Sequence, residues 1–161
     1  KEKADGYTIF RFFNVSGTDG HNRQLGAPTH LIRVAAMVAA GKIPDLKIFG
    51  TDYDTRDGTC IRDYIHVVDL ATAIVNAVEQ GPANTPYECL GSNVGYSVRE
   101  VINTMQDVTG KKLNIIETER RAGDAVASVV DNLSSLVNLS KSIEDMCLDQ
   151  YKLEIGKNGR T

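Results

Sequence analysis

An α/β fold is what this sequence predicts, and three observations carry it. Short apolar or β-branched stretches, at Tyr7 to Val15, Leu46 to Phe49, Tyr64 to Val68, Tyr87 to Leu90 and Leu113 to Ile116, alternate with longer segments of helical period. The helical segments carry their own start and stop residues. No internal repeat interrupts the alternation, and 161 residues suffice for one compact domain burying roughly two thirds of its unfolded surface.

Tyr7 to Val15 is rich in aromatic and β-branched residues and is expected to form a buried strand. Ser16 to Gly26 is polar and Gly-bearing, and its length suits a loop that works at a site. Thr29 is placed to cap a helix through Ala40, which Gly41 stops. Leu46 to Phe49 is a short strand halted by Gly50, followed by a loop crowded with Asp, Thr and Gly. The chain turns extended again around Tyr64 to Val68. Asp69 is the expected N-cap of a helix with Leu70, Ala73, Ile74, Ala77 and Val78 on one face, ended by Gly81 and Pro82.

Ser97 and Glu100 have the spacing of a capping box ahead of Val101, Ile102, Met105 and Val108, with Gly110 as the stop. Ala127 to Val130 is expected to be extended. Ser142 opens a last helix carrying Ile143, Met146 and Cys147 on one side, and Lys157 to Thr161 is expected to fray.

Composition narrows the function. Hydrophobic residues make up 42% and charged residues 24%, an ordinary soluble balance, and a net charge of −3 gives no footprint for nucleic acid or membrane. No apolar run is long enough to span a bilayer and no signal-peptide pattern occurs, so a cytoplasmic protein is expected. Cys60, Cys89 and Cys147 lack zinc-like or Cys-x-x-Cys spacing, which points to reduced thiols. The Asn-x-Ser triplets at Asn14, Asn132 and Asn138 are expected to be chance matches. Lys1 stands where a Met would open a complete chain, so a larger parent is expected.

The most informative stretch runs from Leu46 to Val78, with Arg62 beside Asp63 and a guanidinium fork suited to phosphate. This block, with its long turn from Gly50 to Ile61, resembles the UDP-glucose (UDP-galactose) 4-epimerases, NAD-dependent members of the extended short-chain dehydrogenases. Related dehydratases and decarboxylases carry a shorter Gly-Asp-Gly turn there. The likeness extends from about Tyr7 to about Asp131 and covers the C-terminal half of that family's pattern.

The resemblance implies that residues 1–161 are a single C-terminal substrate-binding part of a larger enzyme of galactose metabolism. It would be a UDP-sugar-binding lobe with two strands, Tyr7 to Val15 and Tyr87 to Leu90, of an incomplete Rossmann sheet. NAD would belong to the intact parent. No Gly-x-x-Gly-x-x-Gly follows a strand, and no Tyr-x-x-x-Lys pair occurs. The chain alone is therefore expected to be inactive and to hold no NAD. Its partners are expected to be a UDP-hexose and either the missing half or a second copy, because isolated sheet strands expose edges.

The resemblance assigns residues as follows. Arg62 and Arg121 match arginines that contact the diphosphate, and the chemistry agrees, since a dianion suits rigid, permanently charged forks. The plainer alternative pairs Arg62 with Asp63 or Asp57 and leaves Arg120 and Arg121 as a solvated surface pair. Asp124 matches an acid that bonds a ribose hydroxyl, or is a turn residue after Gly123. Asn14 matches a sugar-phosphate contact, or is an ordinary strand-end Asn. His30 and Leu31 match substrate contacts, though His30 equally suits a first helical turn. Lys47, Ile48 and Phe49 match the segment that holds uracil, with Phe49 also a good core residue.

Phe13 matches a position beside the nicotinamide, or is a buried strand aromatic. Ser128 matches a sugar-pocket position whose size governs whether a 2-acetamido group fits, or is merely exposed. His66 is expected to bond in a loop or at a helix entry rather than to catalyse, and His21 is unassigned. The departure from the family lies after Asp131, where Asn132 to Lys141 is short and no Trp occurs. Rival readings are a UDP-pentose epimerase, a nucleotide-sugar dehydratase, or a non-catalytic nucleotide-sugar-binding paralogue.

Overall fold

The computed structural model describes residues 6–21, 26–82 and 86–156. The expected fraying of Lys157 to Thr161 and part of the Ser16 to Gly26 loop lie outside the described residues. The chain opens with β1 (Phe10–Phe12) and β2 (Asn14–Ser16), then α1 (Leu31–Ala39), β3 (Leu46–Phe49), β4 (Ile61–His66) and α2 (Val67–Gln80). It continues with β5 (Glu88–Leu90), β6 (Gly95–Ser97), α3 (Val98–Thr109), β7 (Ile115–Thr118), β8 (Ala127–Ser128) and α4 (Ile143–Gly156). The α/β arrangement read from the sequence is borne out.

β4 is the hub. Ile61 to Asp63 run antiparallel to β6, while Ile61 and Arg62 also run parallel to β8. Tyr64 to His66 then run parallel to β2. Two separate parallel pairs flank this sheet: β1 with β5, and β3 with β7. The strand expected over Tyr64 to Val68 therefore starts earlier, because Ile61 and Arg62 have ladder partners on both sides and Asp63 on one.

The strand expected over Tyr7 to Val15 is divided. Phe13 lies between β1 and β2, its N–H donating to the Leu90 carbonyl at 3.1 Å, and the two pieces pair with different strands. It is also less buried than its composition implies, since Phe12 is 52% exposed. The strand expected at Leu113 to Ile116 shifts to β7. Leu113 is buried in the helical core, and its N–H donates to the Gln106 side chain at 3.0 Å. β6 carries little β propensity beyond Tyr96 and was not foreseen; it forms because β4 offers it a ladder.

Two caps differ from expectation. α1 begins after His30, not Thr29, and no side chain caps it. α2 begins at Val67, with His66 as N-cap, its Nδ1 accepting from the Val68 N–H at 3.1 Å. Asp69 is spent elsewhere: its carboxylate accepts from the Ser140 and Lys141 N–H groups, each at 3.2 Å, and from the Ser140 hydroxyl. The Ser97–Glu100 capping box forms as read, and Gly110 closes α3 in the left-handed region at φ 63°. Ser142 also caps α4 as expected, accepting from the Asp145 N–H at 3.2 Å.

The larger core lies where α1, α3 and α4 meet β3 and β7, around Ile32, Leu46, Ile48, Ile102, Met105 and Cys147. A smaller one joins α2 to β4 and β5 through Leu70, Ala73, Ile65 and Leu90.

Candidate functional site

A cavity of about 690 Å³ opens where the C-terminal end of β3, β4 and the start of α1 converge. Its wall gathers residues that lie far apart in sequence. Asn14 comes from β2, His30 and Leu31 from the entry to α1, Lys47 and Phe49 from β3. Arg62 comes from β4, and Arg121 and Asp124 from the segment leading into β8. Side-chain alternation explains the selection on β4: Arg62 and Tyr64 share the cavity face, while Asp63 points away and is wholly buried.

Ile48 is the exception among the β3 residues. Alternation turns it into the core, where it is fully buried, so only its backbone can face the cavity. Ser128 and Phe13 line a second, smaller cavity of about 320 Å³, which shares Asn14 and Arg62 with the first. The sequence-predicted residues are thus split between two neighbouring spaces, with Arg62 and Asn14 lining both.

The cations of the site have defined partners. Arg62 lies 3.6 Å from the Asp124 carboxylate, and its Nη1 donates to the Ile61 and Ala125 carbonyls at 2.8 and 2.9 Å. Neither Asp63 nor Asp57 takes it: Asp57 bonds Thr59 and Ser97 instead. Arg120 and Arg121 are not an equivalent pair. Arg120 bonds the Asp52 side chain at 2.7 Å and stacks 4.1 Å from the Tyr53 ring centroid. Arg121 instead lies 3.6 Å from the Phe49 ring centroid, inside the cavity wall. The Arg120 guanidinium holds the Asp52 carboxyl below its ordinary value.

Two residues that sequence reasoning did not single out complete the wall. Tyr64 bonds the Asn14 side chain, and burial pushes its phenol well above the ordinary value. The i, i+2 spacing from Arg62 could have revealed it. Cys60 is buried at the cavity edge, and burial raises its thiol, so it stands as a neutral wall group. His66 is enclosed as a helix-entry bonder, as expected.

Chemically, the site offers two guanidinium forks, an amine, an aromatic face and two carboxylates, Asp45 and Asp124, around a space of nucleotide size. That is equipment for gripping an anionic ligand. Among the described residues, no cluster of His, Cys, Asp and Glu could hold a metal ion. The small cavity beside Phe13 is too small for a dinucleotide, and the sequence contains no Gly-x-x-Gly-x-x-Gly cradle after a strand.

Residues 2–89 match the family described as NAD dependent epimerase/dehydratase family. The chain belongs to this family. Its relatives within that family include UDP-glucose 4-epimerases. The protein of that name from Azospirillum brasilense is 48% identical over 122 residues, covering 72% of this chain and 35% of that protein. The solved UDP-glucose 4-epimerase from Bifidobacterium longum, in complex with NAD+ and UDP, superposes with a TM-score of 0.84. It is 33% identical, and the match covers 95% of this chain and 49% of that one. The UDP-Glc/GlcNAc 4-epimerase from Campylobacter jejuni gives a TM-score of 0.73 at 39% identity, covering 92% of this chain and 48% of that one. The chain spans less than half the length of these epimerases. No helix among its described residues is long and apolar enough to cross a membrane.

Proposed function

We propose that this chain is the part of a UDP-glucose 4-epimerase that grips the UDP moiety of a UDP-hexose. The observation that carries the reading is the convergence of Arg62 and Arg121 on one cavity with Lys47 and the Phe49 ring. Arg62 and Arg121 hold the diphosphate, the Lys47 to Phe49 strand holds uracil, and Asp124 accepts from a ribose hydroxyl. His30, Leu31 and Asn14 contribute further wall beside the ligand. Binding energy spent on UDP fixes the hexose without acting on its reacting carbon, which is how a remote group lowers a barrier.

Proton and hydride transfer belong to residues outside this sequence, which has no Tyr-x-x-x-Lys pair. The 161-residue chain alone is expected to bind UDP without turning UDP-galactose over. NAD is supplied with the remainder of the family's enzyme, and galactose metabolism is the setting that this reading implies. That missing pair also favours a second reading, a non-catalytic nucleotide-sugar-binding protein.

Ser128 sets the hexose class in this reading. Its side chain is small and exposed at the cavity beside Phe13, leaving room for a 2-acetamido group. Ser128→Tyr should weaken UDP-N-acetylglucosamine binding by about 10-fold relative to UDP-glucose, because overpacking costs roughly 1–3 kcal/mol. If the unaltered chain already rejects the acetamido sugar, this assignment is wrong.

Calorimetric titration with UDP tests the main reading. Arg62→Ala and Arg121→Ala should each weaken binding by about 10- to 100-fold, since a charge-assisted bond contributes about 1.5–3 kcal/mol. Unchanged affinity in both variants would retire the diphosphate assignment.

A further inference from the structure

We propose that Asp63, buried on the face of β4 opposite the larger cavity and at the wall of the smaller one beside Ser128, is the positioning residue that registers the 121–130 segment against Arg62. The inference rests on the nucleotide-sugar reading and adds to it the residue that assembles the site. Asp63 is fully buried and touches no ligand. It acts through the backbone of the segment that carries Asp124 and Ser128.

The Asp63 carboxylate is fully enclosed and saturated with donors. One oxygen accepts from the Ser92 N–H at 2.6 Å and the Ser92 hydroxyl at 2.7 Å. The other accepts from the Asn93 N–H at 2.9 Å and the Val130 N–H at 3.2 Å. Three of the donors belong to the turn between β5 and β6, and one belongs to the chain just beyond β8. A single side chain on the hub strand thus ties together both segments that flank it. Loss of an acceptor here strands buried N–H groups, which is costly in a way that surface bonds are not.

The need for such a tie follows from how little else holds β8. That strand has two residues, registered Ile61 to Ala127 and Arg62 to Ser128. The Ile61 N–H reaches the Val126 carbonyl at 2.9 Å, and the Arg62 guanidinium reaches the Ala125 carbonyl. Those bonds secure its beginning. The Val130 bond to Asp63 secures its end, two residues past Ser128. Gly91 keeps the approach open: a Cβ there would lie 2.7 Å from the Asp63 Oδ2.

The geometry predicts a split between ligands. Val130 is close in sequence to Ser128 at the sugar cavity and farther from Arg121 at the nucleotide cavity. Asp63→Asn leaves a single oxygen acceptor where two were in use and turns an amide donor toward N–H groups. UDP-glucose affinity should fall by about 10-fold, while UDP affinity changes by less than about threefold. Gly91→Ala should give the same split by crowding the carboxylate, and it keeps the idea testable if Asp63→Asn fails to fold.

The experiment titrates UDP and UDP-glucose into the 161-residue chain and into the Asp63→Asn, Gly91→Ala and Arg62→Ala variants, with amide exchange read over 121–130. Support is a selective loss of UDP-glucose affinity together with faster exchange at Val130. A purely structural role would lower the melting temperature and weaken both ligands alike, and that result overturns the proposal. So does unchanged affinity for both. Arg62→Ala, with Arg121→Ala beside it, separates the two levels: if both leave UDP binding intact, the nucleotide-sugar reading itself falls; if UDP binding weakens there but Asp63→Asn and Gly91→Ala show no split, only the role of Asp63 falls.

Discussion

The helical region around α1, α3 and α4 and the strand pair β1–β5 with α2 both carry apolar side chains, yet these are covered very differently. In the first, Ile32, Ile102, Met105 and Cys147 are almost wholly enclosed, and burial pushes the Cys147 thiol up to about 12. In the second, only one face is covered. Leu70, Ala73 and Leu90 are buried, while Tyr7 and Val78 are each 77% exposed and Val75 is 55% exposed. A parallel pair such as β1–β5 belongs to sheets that are covered on both faces. The apolar residues of the second region are therefore patterned for more cover than the described residues supply. The candidate site lies on the well-packed side, where Leu46 and Ile48 anchor the strand that presents Lys47 and Phe49.

The sharpest way to break this comparison is to open a cavity in the first region. Ile102→Ala removes a side chain that is 1% exposed, and it should lower stability by about 2–5 kcal/mol in thermal or urea unfolding. A loss below about 1 kcal/mol would show that this core is not close-packed.

A smaller effect is expected from Ser97→Ala. Ser97 caps α3 and also bonds Asp57 in the long turn after β3, so it couples a core helix to the loop that leads into β4. Stability should fall by about 1 kcal/mol, within the range of N-cap losses, when followed by circular dichroism melts.

His66 sharpens the comparison at the seam, since it ends β4, caps α2 and faces Asp149 of α4 at 3.6 Å. Desolvation holds its imidazole below the ordinary 6.5, outweighing Asp149, which acts in the opposite direction. The unfolded chain therefore binds the proton more readily than the folded one. Stability is fully present above pH 6.5 and is lost as pH falls from there through the lowered folded value. His66→Asn, which can keep the cap, should flatten that slope below pH 6.5; an unchanged slope would place the titration elsewhere.

The smallest effect tests the second region. Val78→Ser, at a position 77% exposed on α2, should change stability by no more than about 0.5 kcal/mol. A loss near 2 kcal/mol would mean that this face is covered in solution.

Periodicity and caps made most of the scaffold legible. The capping box at Ser97 and Glu100, the stop at Gly110 and the start at Ser142 all depend on contacts within a few residues. Misreadings occurred where a distant segment competed for a local group. Asp69 has the right chemistry for an N-cap, but Ser140 and Lys141 engage it, and His66 caps α2 instead. Tyr7 to Val15 has uniform β propensity, but two different partner strands divide it at Phe13.

The site followed the same division. The sequence by itself determined which residues could serve: two arginines fit for a diphosphate, an aromatic beside a lysine, a carboxylate after a turn glycine. Only the tertiary structure decided that Arg121 joins the cavity while Arg120 is tied to Asp52, and that Arg62 meets Asp124 rather than its neighbour Asp63. Adjacent residues on a strand or turn face opposite ways, and the partner each one finds is brought from far along the chain. A local pattern specifies backbone conformation because its energies are short-ranged. Which of two neighbouring charges meets a ligand depends on what packs against the other.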